Sequence, residues 1–191
     1  MKIVVFDFDK TLIQNDSLTS LFLNISKKNP IYFLIFIALA IFYKLGIITN
    51  ASLKKTLFKL LIKDKNQIYE LINTIIIFKN TMLLDILRFH LDKGDLCIIS
   101  SGTINEILEK YISDLNLIHP KLLLSSSFYY GSNNEMKYYN NYGVNKIYGI
   151  RRLGYSHIDI FFTDNVYADL PLMSISSSVY KISNLKLTKV I

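Results

Sequence analysis

Two aspartates, Asp7 and Asp9, follow directly on an apolar run from Ile3 to Phe6, with only Phe8 between them. Alternate residues of a strand share a face, so the two carboxylates would point the same way if the strand continued. If the chain turns there, both reach one pocket. Carboxylates held close together repel, and at least one pKa rises unless a cation lies between them. Mg²⁺ suits such a place, because it is hard, seeks oxygen and shares carboxylates with phosphate oxygens. An aspartate can also attack phosphorus and so divide one hard displacement into two. A second carboxylate can then protonate the leaving oxygen and later activate water. The same spacing also occurs in helix caps and loops; the strand before it, and Thr11 and Leu12 after it, favour the chemical reading.

The stretch DFDKT, residues 7–11, resembles the first motif of the haloacid dehalogenase-like (HAD) phosphohydrolases, D-x-D-x-[TV]. The resemblance implies a nucleophile at Asp7, an acid/base at Asp9 and a loop-holding, phosphate-side role for Thr11. The family has three further motifs, and the chain offers each in order. In DLCIISSGTINEIL, Ser100 matches the second motif, a hydroxyl at a strand end, with Ser101 the alternative one residue on. Such a hydroxyl, followed by Gly102 and the backbone amides of a helix start, makes a phosphate-oxygen site. In NNYGVNKIYGIRRLGY, Lys146 matches the third, a lysine that stabilises the phosphoryl charge. The run N-Y-G-x-x-K is similar to that of the phosphoserine-phosphatase-like branch. In IDIFFTDNVYADLPLM, Asp164 and Asp169 supply the acidic pair of the fourth motif, with Thr163 where the branch usually has glycine. The metal ligands implied are Asp7, Asp9 (through its backbone carbonyl), Asp164 and Asp169, and the cofactor implied is Mg²⁺.

These residues need a scaffold that brings them together. Short apolar stretches at 2–7, 95–100, 121–126, 158–163 and 178–182 read as strands, and 103–114 has helical spacing. Strands alternating with helices predict an α/β fold, a Rossmann-like parallel sheet with helices on both faces. In such sheets ligands sit beyond the carboxyl ends of the strands, where every motif above falls. Residues 1–14 and 80–191 form the expected catalytic core. Residues 15–79 form the expected helical cap, inserted after the first strand. A hairpin is expected within 125–140, turning at Gly131 to Asn134.

The cap carries an uncharged run from Ile31 to Tyr43, with Lys27, Lys28, Lys44, Lys54 and Lys55 around it. Thirteen residues rise about 20 Å as a helix, short of a hydrocarbon core of about 30 Å. A buried cap helix, a helix lying in a membrane surface and a span that extends past Lys44 all remain open at this point.

The composition, 51% hydrophobic in 191 residues, allows one domain with a sizeable core and a small insert. A net charge of +7 favours anionic partners. The lysines are scattered, without a dense basic run, so nucleic acid is not expected. Cys97 is the single cysteine, which excludes an internal disulfide, and it sits in an apolar run as a small core residue. His90, His119 and His157 lie too far apart in sequence to suggest a zinc site. The first apolar run is too short for a signal peptide and ends in acids, which points to the cytoplasm. The expected function is a Mg²⁺-dependent phosphomonoester phosphatase acting on a small phosphorylated metabolite. A membrane-surface phosphatase or phosphotransferase acting on a lipid or lipid-linked glycan phosphate is the alternative, and a catalytically idle module of the same fold is a third.

Overall fold

The computed structural model describes residues 1–28, 30–61, 65–73, 75–115, 122–130 and 136–191. Its sheet has seven strands: β1 (Ile3–Phe6), β2 (Leu96–Ile104), β3 (Leu122–Tyr130), β4 (Met136–Tyr139), β5 (Ile158–Thr163), β6 (Ser176–Ser183) and β7 (Lys186–Lys189). The order across the sheet is β4-β3-β2-β1-β5-β6-β7. The pairs β3–β2, β2–β1, β1–β5 and β5–β6 are parallel, and β7 joins the edge antiparallel to β6.

Register explains why the apolar runs are continuous. Val5 pairs with Ile98 and Phe161, and Phe161 pairs with Val179, so these four share one face. There they bury Ile150 of helix α7 (Val144–Arg152) and Leu172 of the single turn α8 (Leu170–Met173). On the other face Phe6 stacks on Phe162 with ring centroids 4.8 Å apart, and Phe162 stacks on Tyr180 at 5.4 Å. Helices α5 (Thr81–Asp92) and α6 (Asn105–Asp114) pack against β2. Strands with both faces covered must be apolar at every position, as Val4, Val5 and Phe6 are. Cys97 lies within this core as a buried free thiol, and burial pushes its pKa up to about 12.

Two compact units are present. The first comprises Met1–Asp16, Ile77–Ser127 and Asn140–Ile191; the second comprises Ser17–Ile76 and Phe128–Tyr139. The expected core and cap differ from this in two places, the first being residues 15–16 and 77–79, which were expected in the cap and belong to the first unit. Phe128–Tyr130 and Met136–Tyr139, expected in the core, fold with the helical unit, where Phe128 packs edge-on against Phe58 at 4.6 Å and stacks on Tyr138 at 4.8 Å. The hairpin expected at 125–140 contributes β4 and the end of β3; its turn at Gly131 to Asn134 lies outside the described residues, as does His119.

The second unit contains α1 (Ser17–Lys28), α2 (Pro30–Lys44), α3 (Asn50–Leu61) and α4 (Lys65–Ile72). Leu18, Leu21, Phe22 and Ile25 recur at helical spacing along α1 and are buried, with Leu57 and Phe58 of α3. In α2, by contrast, no residue is buried. The buried-helix reading of 31–43 is therefore corrected: the segment is helical, but its own unit covers only one side of it. Among the described residues no helix is long and apolar enough to cross a membrane.

Candidate active site

β1 lies at the point where the chain switches sides, with β2 on one flank and β5 on the other, which is where open α/β sheets leave a crevice. Phe6 pairs with Ile99 and Phe162. One residue further along the three strands come Asp7, Ser100 and Thr163, so the first, second and fourth motifs stand level at the sheet's carboxyl edge. The Asp7 amide donates to Phe162 O at 2.9 Å and fixes the strand end.

The chain then turns rather than continuing as a strand. Lys10 adopts φ 55°, in the left-handed region, within an irregular turn over Phe8–Leu12. The turn is tied down from outside. Asn80 Nδ2 donates to Thr11 O at 2.9 Å, the Asn80 amide donates to Leu12 O at 3.0 Å, and Tyr111 Oη donates to the same carbonyl at 3.1 Å. Asp9 lies in this turn, half-buried. Thr11 is fully buried, and its hydroxyl has no hydrogen-bond partner among the described residues. Its carbonyl is one of the points at which the turn is held.

Lys146 joins the motifs. It sits in the first turn of α7, is only 3% exposed, and its Nζ donates to Asp7 Oδ1 at 2.8 Å and to Asp169 Oδ1 at 2.7 Å. Thr163 Oγ1 donates to the other Asp169 oxygen at 2.6 Å and accepts the Asn165 amide at 3.0 Å. The threonine that replaces the usual glycine thus holds Asp169 in place. Asp169, expected among the metal ligands, is buried, and both of its oxygens accept from donors of the chain, Lys146 and Thr163.

Ser100, Ser101 and Gly102 lie on β2. β2 runs on to Ile104 through a register shift after Ser100, and α6 begins only at Asn105. The helix-start amides are therefore set apart from the serines by several residues. Ser100 Oγ accepts from Asn141 Nδ2 at 3.3 Å, and Ser101 Oγ accepts the Thr103 amide at 3.0 Å. Both serines are buried, and Gly102 is partly exposed. Asn141, which the sequence did not single out, also donates to Ser101 O at 3.1 Å and Leu124 O at 2.8 Å. Its side chain clamps β2 to β3 beside the site.

The electrostatics follow from this crowding. Burial is the largest influence on Asp7 and pushes its carboxyl up to about 8; the Lys146 ammonium opposes the rise, while Asp169 and Asp164 add to it. Burial works against the Lys146 ammonium, yet the carboxylates of Asp7 and Asp169 outweigh it, so its pKa lies above the ordinary lysine value. Burial also raises Asp164, with Lys10 opposing. Lys10 and Asp164, together with Lys181 and Ser183 of β6, line an open cavity of about 440 Å³. Nothing in the sequence marked Lys10 or Lys181 for this place.

Three carboxylates close to one buried ammonium leave a negative surplus that a divalent cation fits. Among the described residues no three of His, Cys, Asp or Glu gather closely enough to form a ready-made metal cage. The donors that remain, Asp7 and Asp164 with backbone oxygen from the turn, match the habit of Mg²⁺, which takes one or two carboxylates and completes its shell with water and phosphate.

The model of the haloacid dehalogenase-like hydrolase family matches residues 4–174. The chain is a haloacid dehalogenase-like hydrolase. No curated protein matches it in sequence. Among solved structures, a phosphoserine phosphohydrolase-like protein from Francisella tularensis subsp. tularensis SCHU S4 is 20% identical. It superposes with a TM-score of 0.67 over 94% of this chain and 86% of that one. A substrate-bound phosphoserine phosphatase complex is 12% identical, with a TM-score of 0.63 over 93% of this chain and 84% of that one. A phospho-aspartyl intermediate analogue of phosphoserine phosphatase is 13% identical, with a TM-score of 0.60 over the same shares, 93% and 84%. This HAD chain thus has the fold of the phosphoserine-phosphatase branch: an α/β parallel sheet with an inserted helical unit.

Proposed function

We propose that this HAD hydrolase is a Mg²⁺-dependent phosphomonoester phosphatase that works through an aspartyl-phosphate on Asp7. The observation that carries the reading is the Lys146 ammonium, buried between Asp7 and Asp169 at the sheet's carboxyl edge. A phospho-aspartyl analogue of a phosphatase with this fold supports the same route.

In this reading an Asp7 oxygen attacks phosphorus in line, the bond to the leaving oxygen breaks, and Asp9 gives that oxygen its proton. Asp9 then takes a proton from water, whose oxygen attacks the phosphorus and releases inorganic phosphate and the Asp7 carboxylate. Lys146, aimed by Asp169, neutralises the phosphoryl oxygens throughout. The Ser100–Gly102 segment, level with Asp7, forms the neighbouring wall. Mg²⁺, held by Asp7, Asp164 and the backbone carbonyl of Asp9, would supply the positive charge that keeps Asp7 ionised and balances the phosphate. The chain's own residues contribute position and charge, and phosphoryl transfer needs little else.

The substrate class is a small phosphorylated metabolite. From Ser17 to Leu61 the helical unit has no acidic residue and no arginine, so this stretch has no acid–arginine pair to receive a charged amino acid. Hydrolysis of p-nitrophenyl phosphate with and without Mg²⁺ tests the assignment. Asp7→Asn is expected to keep the fold, by circular dichroism, and to lose at least about a thousandfold in turnover. Full activity in the pure variant would overturn it.

A further inference from the structure

The outward side of α2 has no place in the catalytic reading. The helix divides cleanly by exposure. Tyr32, Ile35 and Phe36 face its own unit, where they line a small apolar pocket with Phe22, Leu57 and Leu60. Ile31, Phe33, Leu34, Ile37, Ile41 and Phe42 are all exposed, Leu34 at 65%. At 100° per residue these six fall within half of the helix circumference. Lys44, the last residue of α2, is the one charged side chain in that half, and it lies at the helix end. Leu45 and Ile47 continue the apolar surface beyond the helix.

The charges around it are of one sign. Between Ser17 and Leu61 there are six lysines and no acidic residue. Lys27, Lys44 and Lys59 are exposed. A second copy of so basic a unit would be repelled, whereas an anionic lipid surface would be attracted. The 15 residues of α2 extend about 22 Å, too short to cross a hydrocarbon layer and suited to lying in its surface.

We propose that α2 is an interfacial helix that docks this chain on an anionic bilayer, its outward apolar half entering the lipid and the lysines facing the headgroups. The proposal does not depend on the catalytic assignment, and its test needs no turnover.

Flotation with phosphatidylcholine–phosphatidylglycerol vesicles, and with phosphatidylcholine alone, provides that test. The wild-type protein is expected to rise with the anionic vesicles and far less with the neutral ones. Ile37→Glu, on the outward half, is expected to lower capture at least tenfold; Leu34→Glu is a second reporter on the same side. Lys44→Gln with Lys59→Gln is expected to lower capture about thirtyfold, from about 1 kcal/mol for each lysine at a charged surface. Circular dichroism and urea denaturation show that each variant is folded. Wild-type protein left behind by anionic vesicles, or Ile37→Glu captured as well as wild type, overturns the proposal. So does a concentration-dependent dimer that Ile37→Glu dissolves and that vesicles do not capture.

Discussion

At the carboxyl edge of the sheet an ammonium and two carboxylates are buried, whereas along α2 six apolar side chains face solvent. Each arrangement is locally unfavourable. Taking Lys146, Asp7 and Asp169 out of water costs several kcal/mol per ion before their mutual attraction is counted. Leaving the α2 face wet forgoes the stabilisation that burial of the same side chains would give. Places where local rules fail while the rest of the fold obeys them tend to be functional. The difference lies in what completes each site. The buried cluster has its charged partners in the same chain, and under the proposed function a cation and a phosphate would complete it. The outward half of α2 is left exposed among the described residues, and under the proposal a lipid surface would cover it.

The largest effect should come from breaking the buried cluster. Lys146→Met keeps the length of the side chain and removes its charge, leaving Asp7 and Asp169 buried without their cation. Removing one partner of a buried ion pair costs about 3–5 kcal/mol, and loss of the charge on the phosphoryl oxygens should lower kcat by about 10²–10³. Urea denaturation and p-nitrophenyl phosphate kinetics measure the two losses. A variant as stable and active as wild type would show that the cluster is neither strained nor catalytic.

A smaller effect should appear in the pH dependence of the metal-free protein. The Asp7 carboxyl titrates near 8 in the folded state against an ordinary value of 3.8. Between those values the folded protein holds a proton that the unfolded chain has released, so stability falls as pH rises through that window. In chelator, the denaturation midpoint is expected to drop from about pH 4 to about pH 8, and Asp7→Asn to flatten the drop. An equal slope in both proteins would place the titration elsewhere.

Much of the buried cluster was legible in the sequence, because parallel strands covered on both faces leave long apolar runs whose first polar residue marks the edge. Asp7, Ser100 and Thr163, with Asp164 directly after it, stand out in this way, and Lys146 through its local run. The partners of these residues were not legible. Asn80, Tyr111 and Asn141 hold main-chain carbonyls far away in sequence, at Thr11, Leu12 and Leu124, and such contacts leave no pattern in residue type. Nor does spacing show whether a carboxylate such as Asp169 meets a metal or a lysine. β7 was missed because its hairpin turns at Asn184 and Leu185, both at positive φ, with no glycine to announce it.

The orientation of α2 was illegible for a different reason. Sequence periodicity reveals a buried side only through contrast with a polar one, and from Ile31 to Tyr43 there is no charge to provide it. The smallest expected effect tests that orientation. Leu and Gln have nearly equal helix propensities, so Leu34→Gln changes the hydrophobicity of one outward position and little else. If that side of α2 is open to solvent in the folded chain, the unfolding free energy from urea denaturation should change by no more than about 0.5 kcal/mol. If the side is covered, shortening or polarising a buried leucine should cost about 2–5 kcal/mol. A loss of that size would erase the contrast between the two regions, because α2 would then be ordinary core. An unchanged midpoint would leave its apolar half without any role in holding the monomer together.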